Sequence, residues 1–134
     1  MARDPLAPVF YDEETGAKLL DCSGIVNRRS FQPGVAIRDG SKEEIMMDGS
    51  KIRDVLAYKL RDTWTLNIID AATLAQLHTF AEMDCVTAEV FDHCKNAVRR
   101  SIFMVELTDP AHGTALPDGA IWYQGGGTLT LEEV

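Results

Sequence analysis

His93 and Cys94 stand side by side, with Cys85 upstream, and are the nearest this sequence comes to a metal or thiol centre. A structural zinc site takes four ligands, commonly as closely spaced Cys or His pairs, and the chain has no CxxC and no HxxxH. A Cys-His nucleophile pair needs an imidazole that faces the thiol and a third group that orients it, whereas adjacent loop residues usually point apart. The expectation here is a solvated hairpin loop. His78 falls at the margin of an apolar helix face, where it reads as a satisfied boundary residue. His112 lies in a polar loop between Asp109 and Asp118, but no oxygen-ligand spacing of the EF-hand kind is present. Gly125-Gly126-Gly127 lacks the Gly-Lys-Ser/Thr that opens a helix in a phosphate-binding loop and leads into a β pattern instead. It reads as a flexible turn or bulge. No residue is therefore assigned a catalytic, cofactor-binding or metal-ligating role.

The elements that position these groups are mostly strands. Tyr58, Leu60, Asp62, Trp64, Leu66 and Ile68 fall on one side of a period-2 pattern, with Lys59, Arg61, Thr63, Thr65 and Asn67 on the other. Asp62 is the exception on the apolar side, and a buried carboxylate has to be paired or hydrogen-bonded. Arg99 or Arg100 is the expected partner. Asp70 then caps a helical run from Ala71 to Met83, in which Leu74, Leu77 and Ala81 share a face with Phe80 at its margin. Val86, Ala88 and Val90 alternate before Asp92 to Asn96 breaks the pattern, and Val98 to Leu107 resumes it, which predicts a hairpin with one strand apolar on both faces for part of its length. Trp64, Trp122, Tyr58 and Tyr123 are read as core anchors.

Short β candidates also lie at Val9 to Tyr11, Lys18 to Cys22, Ser30 to Arg38, Glu43 to Met47, Ala120 to Gln124 and Thr128 to Glu132. Asp39-Gly40 and Asp48-Gly49 supply hairpin turns, and Pro33-Gly34 implies an edge or a bulge. The last pair of strands is expected to close or edge the sheet. Strands interrupted by one helix predict an α+β fold with a mainly antiparallel sheet or barrel-like sandwich. Residues 1–134 fit one domain, with 1–16 an amino-terminal arm or edge strand.

The chain has 13 Lys and Arg against 21 Asp and Glu, a net charge of -8, which argues against nucleic-acid or anionic-membrane binding through a general basic surface. Partners are expected to be proteins. No apolar run is long enough for a spanning helix, and the amino terminus lacks a secretory pattern, so a soluble, cytosol-made protein is expected. Three widely spaced cysteines, Cys22, Cys85 and Cys94, predict free thiols rather than a disulfide framework.

The ordered string Asn27-Arg28-Arg29-Ser30-Phe31, Ile37-Arg38-Asp39-Gly40, Met47-Asp48-Gly49, Arg53-Asp54 and Tyr58-Lys59-Leu60 resembles small virion proteins from the tail modules of long-tailed bacteriophages and prophages. The short helix, the hairpin and the late aromatic strand Ala120-Ile121-Trp122-Tyr123 are similar in layout, so the resemblance covers residues 24 to 133. It implies a non-enzymatic structural subunit without cofactor, assembled in the host cytoplasm into a virion. The subunit would act by self-association in a ring or other repeated assembly and by contact with other tail or connector proteins. The amino-terminal segment, the Ser41 to Lys51 turn region and the Asp109 to Gly119 loop are the expected contacts. The alternative is a small soluble ligand-binding domain or enzyme with a pocket near His78, His93 or His112.

Overall fold

The structure is a computed structural model and describes residues 4–37, 42–45, 51–54 and 58–134. Twelve strands and one helix follow in chain order among the described residues: β1 (Val9–Tyr11), β2 (Lys18–Asp21), β3 (Val35–Ile37), β4 (Lys42–Ile45), β5 (Lys51–Asp54), β6 (Tyr58–Thr65), β7 (Ile69–Asp70), α1 (Ala71–Glu82), β8 (Val86–Asp92), β9 (Ala97–Thr108), β10 (His112–Ala115), β11 (Ile121–Gln124) and β12 (Thr128–Glu133). Seven strands form one sheet in the order β2-β1-β8-β9-β12-β6-β3, with every pairing antiparallel. A three-stranded sheet, β10-β11-β7, and the hairpin β4-β5 complete the architecture. This is the expected α+β, mainly antiparallel fold with a single short helix.

The large sheet is curled, and the chain itself requires it. Cys22 follows edge strand β2 and donates its backbone N–H to Pro8 at 3.0 Å, while Val26 bridges Leu66 just past β6. Those four residues reach at most about 14 Å, whereas the five strand spacings from β2 to β6 in a flat sheet need about 24 Å. The same segment continues down β6: Asn27 donates to Thr65 at 2.8 Å, Gln32 and Thr63 exchange backbone bonds, and Arg61 donates to Gly34 at 3.0 Å. Gly34 is required there, because a Cβ would sit 2.5 Å from the Arg61 carbonyl oxygen.

Alternation sets which side chains face inward. Val86, Ala88, Val90 and Asp92 of β8, Phe103 and Val105 of β9, Leu129, Leu131 and Glu133 of β12, and Leu60, Asp62 and Trp64 of β6 are all buried. The outer face of β9 is open at Ile102 and Met104, so the strand is not covered on both sides as expected. Helix α1 packs against β9, β7 and β11. Its cap is as predicted, Asp70 Oδ1 accepting the Thr73 N–H at 2.9 Å. Phe80 belongs to the core rather than the margin: it is buried with Leu77 and stacks on Phe10 of β1 at 4.4 Å between ring centroids.

Three placements depart from the sequence reading. Strand β1 is not an edge, since β2 and β8 pair with its two sides. Of the last pair of strands, expected to close or edge the sheet, β12 does not edge it but joins β9 to β6, and β11 lies in the small sheet. Residues 112–115, expected in a loop, form β10 and pair with β11. The Asp39-Gly40 and Asp48-Gly49 turns lie outside the described residues.

Candidate functional site

Two regions gather side chains that a function can use. The first is ionic and lies at one end of the curled sheet's inner face, where β8 and β12 end and β6 and β9 begin. Asp62, Asp92 and Glu133 are buried there, beside a partly exposed Arg99. Arg99 grips Glu133 with both terminal nitrogens at 2.8 Å, and its Nε lies 3.2 Å from Asp92 Oδ2. Burial pushes Glu133 up, yet hydrogen bonds from Ser101, Arg99 and the Leu60 N–H outweigh it and leave the carboxyl below its ordinary value.

Asp62 is 0% exposed and stands outside this pairing. Its Oδ1 accepts the Gly34 N–H at 3.2 Å, while Oδ2 has no hydrogen-bond partner. The expected pairing with Arg99 or Arg100 is not made, because Arg99 is held by Asp92 and Glu133 and Arg100 reaches Glu89 at 3.4 Å while lying 3.8 Å over the Tyr11 ring. Burial therefore dominates and raises the Asp62 pKa from 3.8 to about 6, against the Gly34 hydrogen bond and the fields of His93 and Arg99 and with that of Asp92. Three buried carboxylates facing one guanidinium leave excess negative charge, and a proton on Asp62 relieves part of it.

Beyond Asp92 the β8–β9 turn carries His93 and Cys94. Both are exposed, as expected, but their side chains do not point apart: Cys94 Sγ lies 3.6 Å from His93 Nε2. Asp92 joins them, with its Oδ1 accepting the Cys94 N–H at 2.9 Å, and ligand atoms of the three residues all lie within 4.8 Å of one another. The sequence reading weighed His93 and Cys94 without Asp92. The signal was the unbroken Asp-His-Cys triplet at the end of an alternating strand.

The second region is apolar. Ile68, Thr114, Leu116, Trp122, Tyr123 and Gln124 line a groove of about 320 Å³ on the β10-β11-β7 sheet. Trp122 is 39% exposed and Ile68 59%, so neither is the core residue that alternation implied. Trp64 is one: it is buried, stacks on Phe31 at 5.4 Å and donates Nε1–H to the Leu6 carbonyl at 2.9 Å. Strand β10 has a pairing partner only on its β11 side among the described residues.

The three histidines do not converge on a pocket. His78 pairs with Asp109, His93 faces Cys94, and His112 sits on β10 opposite Gln124. None lines the Trp122 groove, nor a second groove of about 210 Å³ bounded by Tyr11, Leu19, Met83 and Cys85 among others. Among the described residues no disulfide joins Cys22, Cys85 or Cys94, and no helix is long and apolar enough to cross a membrane. Comparison with known protein families, curated proteins and solved structures returns no match.

Proposed function

We propose that this chain is a non-enzymatic structural subunit of a bacteriophage or prophage particle, tail-associated, acting by self-assembly and by contact with other tail or connector proteins. The observation that carries the reading is the Trp122 groove beside the open edge of β10. Every residue that lines it is uncharged, in a chain whose net charge is -8. Copies of so acidic a protein repel one another, and a neutral apolar face is where they meet at least electrostatic cost. An edge strand with free backbone donors and acceptors adds a directional contact of the kind that repeated assemblies use. The groove lies between Ile68 and Gln124, inside the span of the phage resemblance, and the β10 strand falls within the Asp109 to Gly119 contact candidate.

Light scattering coupled to size exclusion, run across concentration and followed by electron microscopy, tests this directly. Growth into discrete larger species with concentration is the expected outcome. Trp122→Ser, which removes the largest exposed apolar group without touching the core, weakens that association. A strict monomer at every concentration, which also fails to enter particles when neighbouring virion genes are co-expressed, would sink the proposal.

A further inference from the structure

We infer that the β8–β9 turn binds one divalent transition-metal ion of the zinc class through Asp92, His93 and Cys94. The inference is independent of the assembly reading. A carboxylate oxygen, an imidazole nitrogen and a thiol sulfur all lie within 4.8 Å of one another, so one ion reaches all three without backbone movement. The tightest pair already has a spacing that a single ion can span. Zinc bonds of about 2.3 Å to sulfur and 2.0 Å to nitrogen at a tetrahedral angle place the two ligand atoms about 3.5 Å apart. Cys94 Sγ and His93 Nε2 are separated by 3.6 Å.

The rest of the geometry supports a ligand role for Asp92. Its carboxylate is buried, with Oδ1 accepting the Cys94 N–H at 2.9 Å and Oδ2 paired with the Arg99 charge at 3.2 Å, in the way neighbouring groups commonly hold metal-binding carboxylates. The guanidinium does not present a bare charge to an incoming cation, because Glu133 holds its other two nitrogens at 2.8 Å. His93 and Cys94 are exposed, which leaves room for a side-chain adjustment that closes the remaining gap to the carboxylate. The donor set of one oxygen, one nitrogen and one sulfur selects zinc, cobalt or nickel over magnesium and calcium, which take oxygen ligands. Three protein ligands leave the fourth tetrahedral position to water. On binding, the Cys94 thiol gives its proton to solvent and the thiolate takes the metal, so affinity rises with pH.

Cobalt(II) added to the intact, reduced chain is the probe, because a cobalt-thiolate bond gives a charge-transfer band in the near ultraviolet. The expected result is a band that saturates at one ion per chain, is displaced by zinc, disappears in Cys94→Ser and persists in Cys85→Ser. His93→Ala weakens zinc binding by at least about tenfold, the scale on which even the residues that orient a metal's ligands act. His93 and Cys94 are exposed and Cys85 is half-buried, so thermal melting before titration will confirm that the three variants fold. Absence of the band in the parent chain overturns the inference. So does a band that survives Cys94→Ser, or undiminished zinc affinity in His93→Ala.

Discussion

Trp64 and Asp62 sit two residues apart on β6 and point into the same core, but their surroundings differ in kind. Leu129 lies opposite Trp64 in the register, Phe31 stacks on its ring, and the Leu6 carbonyl takes its one polar hydrogen. Leu131 lies opposite Asp62, a single backbone N–H reaches Oδ1, and nothing reaches Oδ2. A large amphipathic side chain is buried at low cost once its polar atom is satisfied, whereas a small carboxylate left half-satisfied is not. Position in an alternating strand decides burial; whether burial stabilises depends on the partners that other strands bring.

Truncation at the satisfied position gives the largest effect. Trp64→Ala costs about 4 kcal/mol of unfolding free energy, from lost apolar burial and the cavity left behind. Denaturant titrations should give the same loss at pH 5 and pH 8, since no titrating group is removed. A loss that varies with pH would show that the apolar and ionic ends are coupled.

Arg99→Met comes next. It keeps an apolar stem but leaves Asp92 and Glu133 buried without their counter-charge, which costs about 3 kcal/mol at neutral pH. Glu133 has a folded pKa below its unfolded value, so the stability it contributes is present above pH 4.5 and is lost as pH falls. In Arg99→Met that acid-side loss shrinks, and a pH series of denaturant midpoints reads it out.

Asp62→Asn runs in the opposite direction. The folded pKa of about 6 exceeds the unfolded value of 3.8, so the folded chain holds a proton between those limits that the unfolded chain releases. Stability from this group is full below about pH 4 and falls as pH rises through 6. Replacement by Asn, which retains an acceptor for the Gly34 N–H, should gain about 2 kcal/mol at pH 7 and nothing at pH 4. A destabilised variant at pH 7 would mean that the Asp62 charge is compensated after all.

The smallest effect belongs to Asp70, whose hydrogen bonds with Thr73 hold its carboxyl below the ordinary value. Asp70→Ala removes the helix cap and should accelerate amide hydrogen exchange in the first turn of α1 alone. Its destabilisation should stay below that of the core variants, and loss of protection throughout the sheet would contradict that ranking.

Much of this arrangement was legible along the chain. Period-2 patterns located β6, β8 and β9, and Asp70 with the helix formers after it located α1. The neighbours of each strand were not legible, because alternation records which side chains share a face and carries no information about which strand lies alongside. That is why β1, expected as an arm or an edge strand, and β12, expected to close or edge the sheet, could not be placed between their neighbours in advance. The same gap hid the ionic cluster: Arg99 was identified as a partner for a buried carboxylate, but Glu133 and Asp92 reach it first. The exposure of Trp122 was hidden for a related reason, since its strand belongs to a separate small sheet rather than to the main core.

The central place of β12 bears on the order in which the protein can fold. Strands β2, β1, β8 and β9 form one group and β6 and β3 another, and within the sheet β12 alone joins them. Both groups are synthesised before residues 128–133 exist, so each exposes one unpaired strand edge, that of β9 or of β6, while it waits. The nascent protein is therefore most prone to mispair after β9 has emerged and before residues 128–133 follow it. Cooperative closure depends on six residues, Thr128–Glu133, that follow both groups along the chain and fit between two strands already in place.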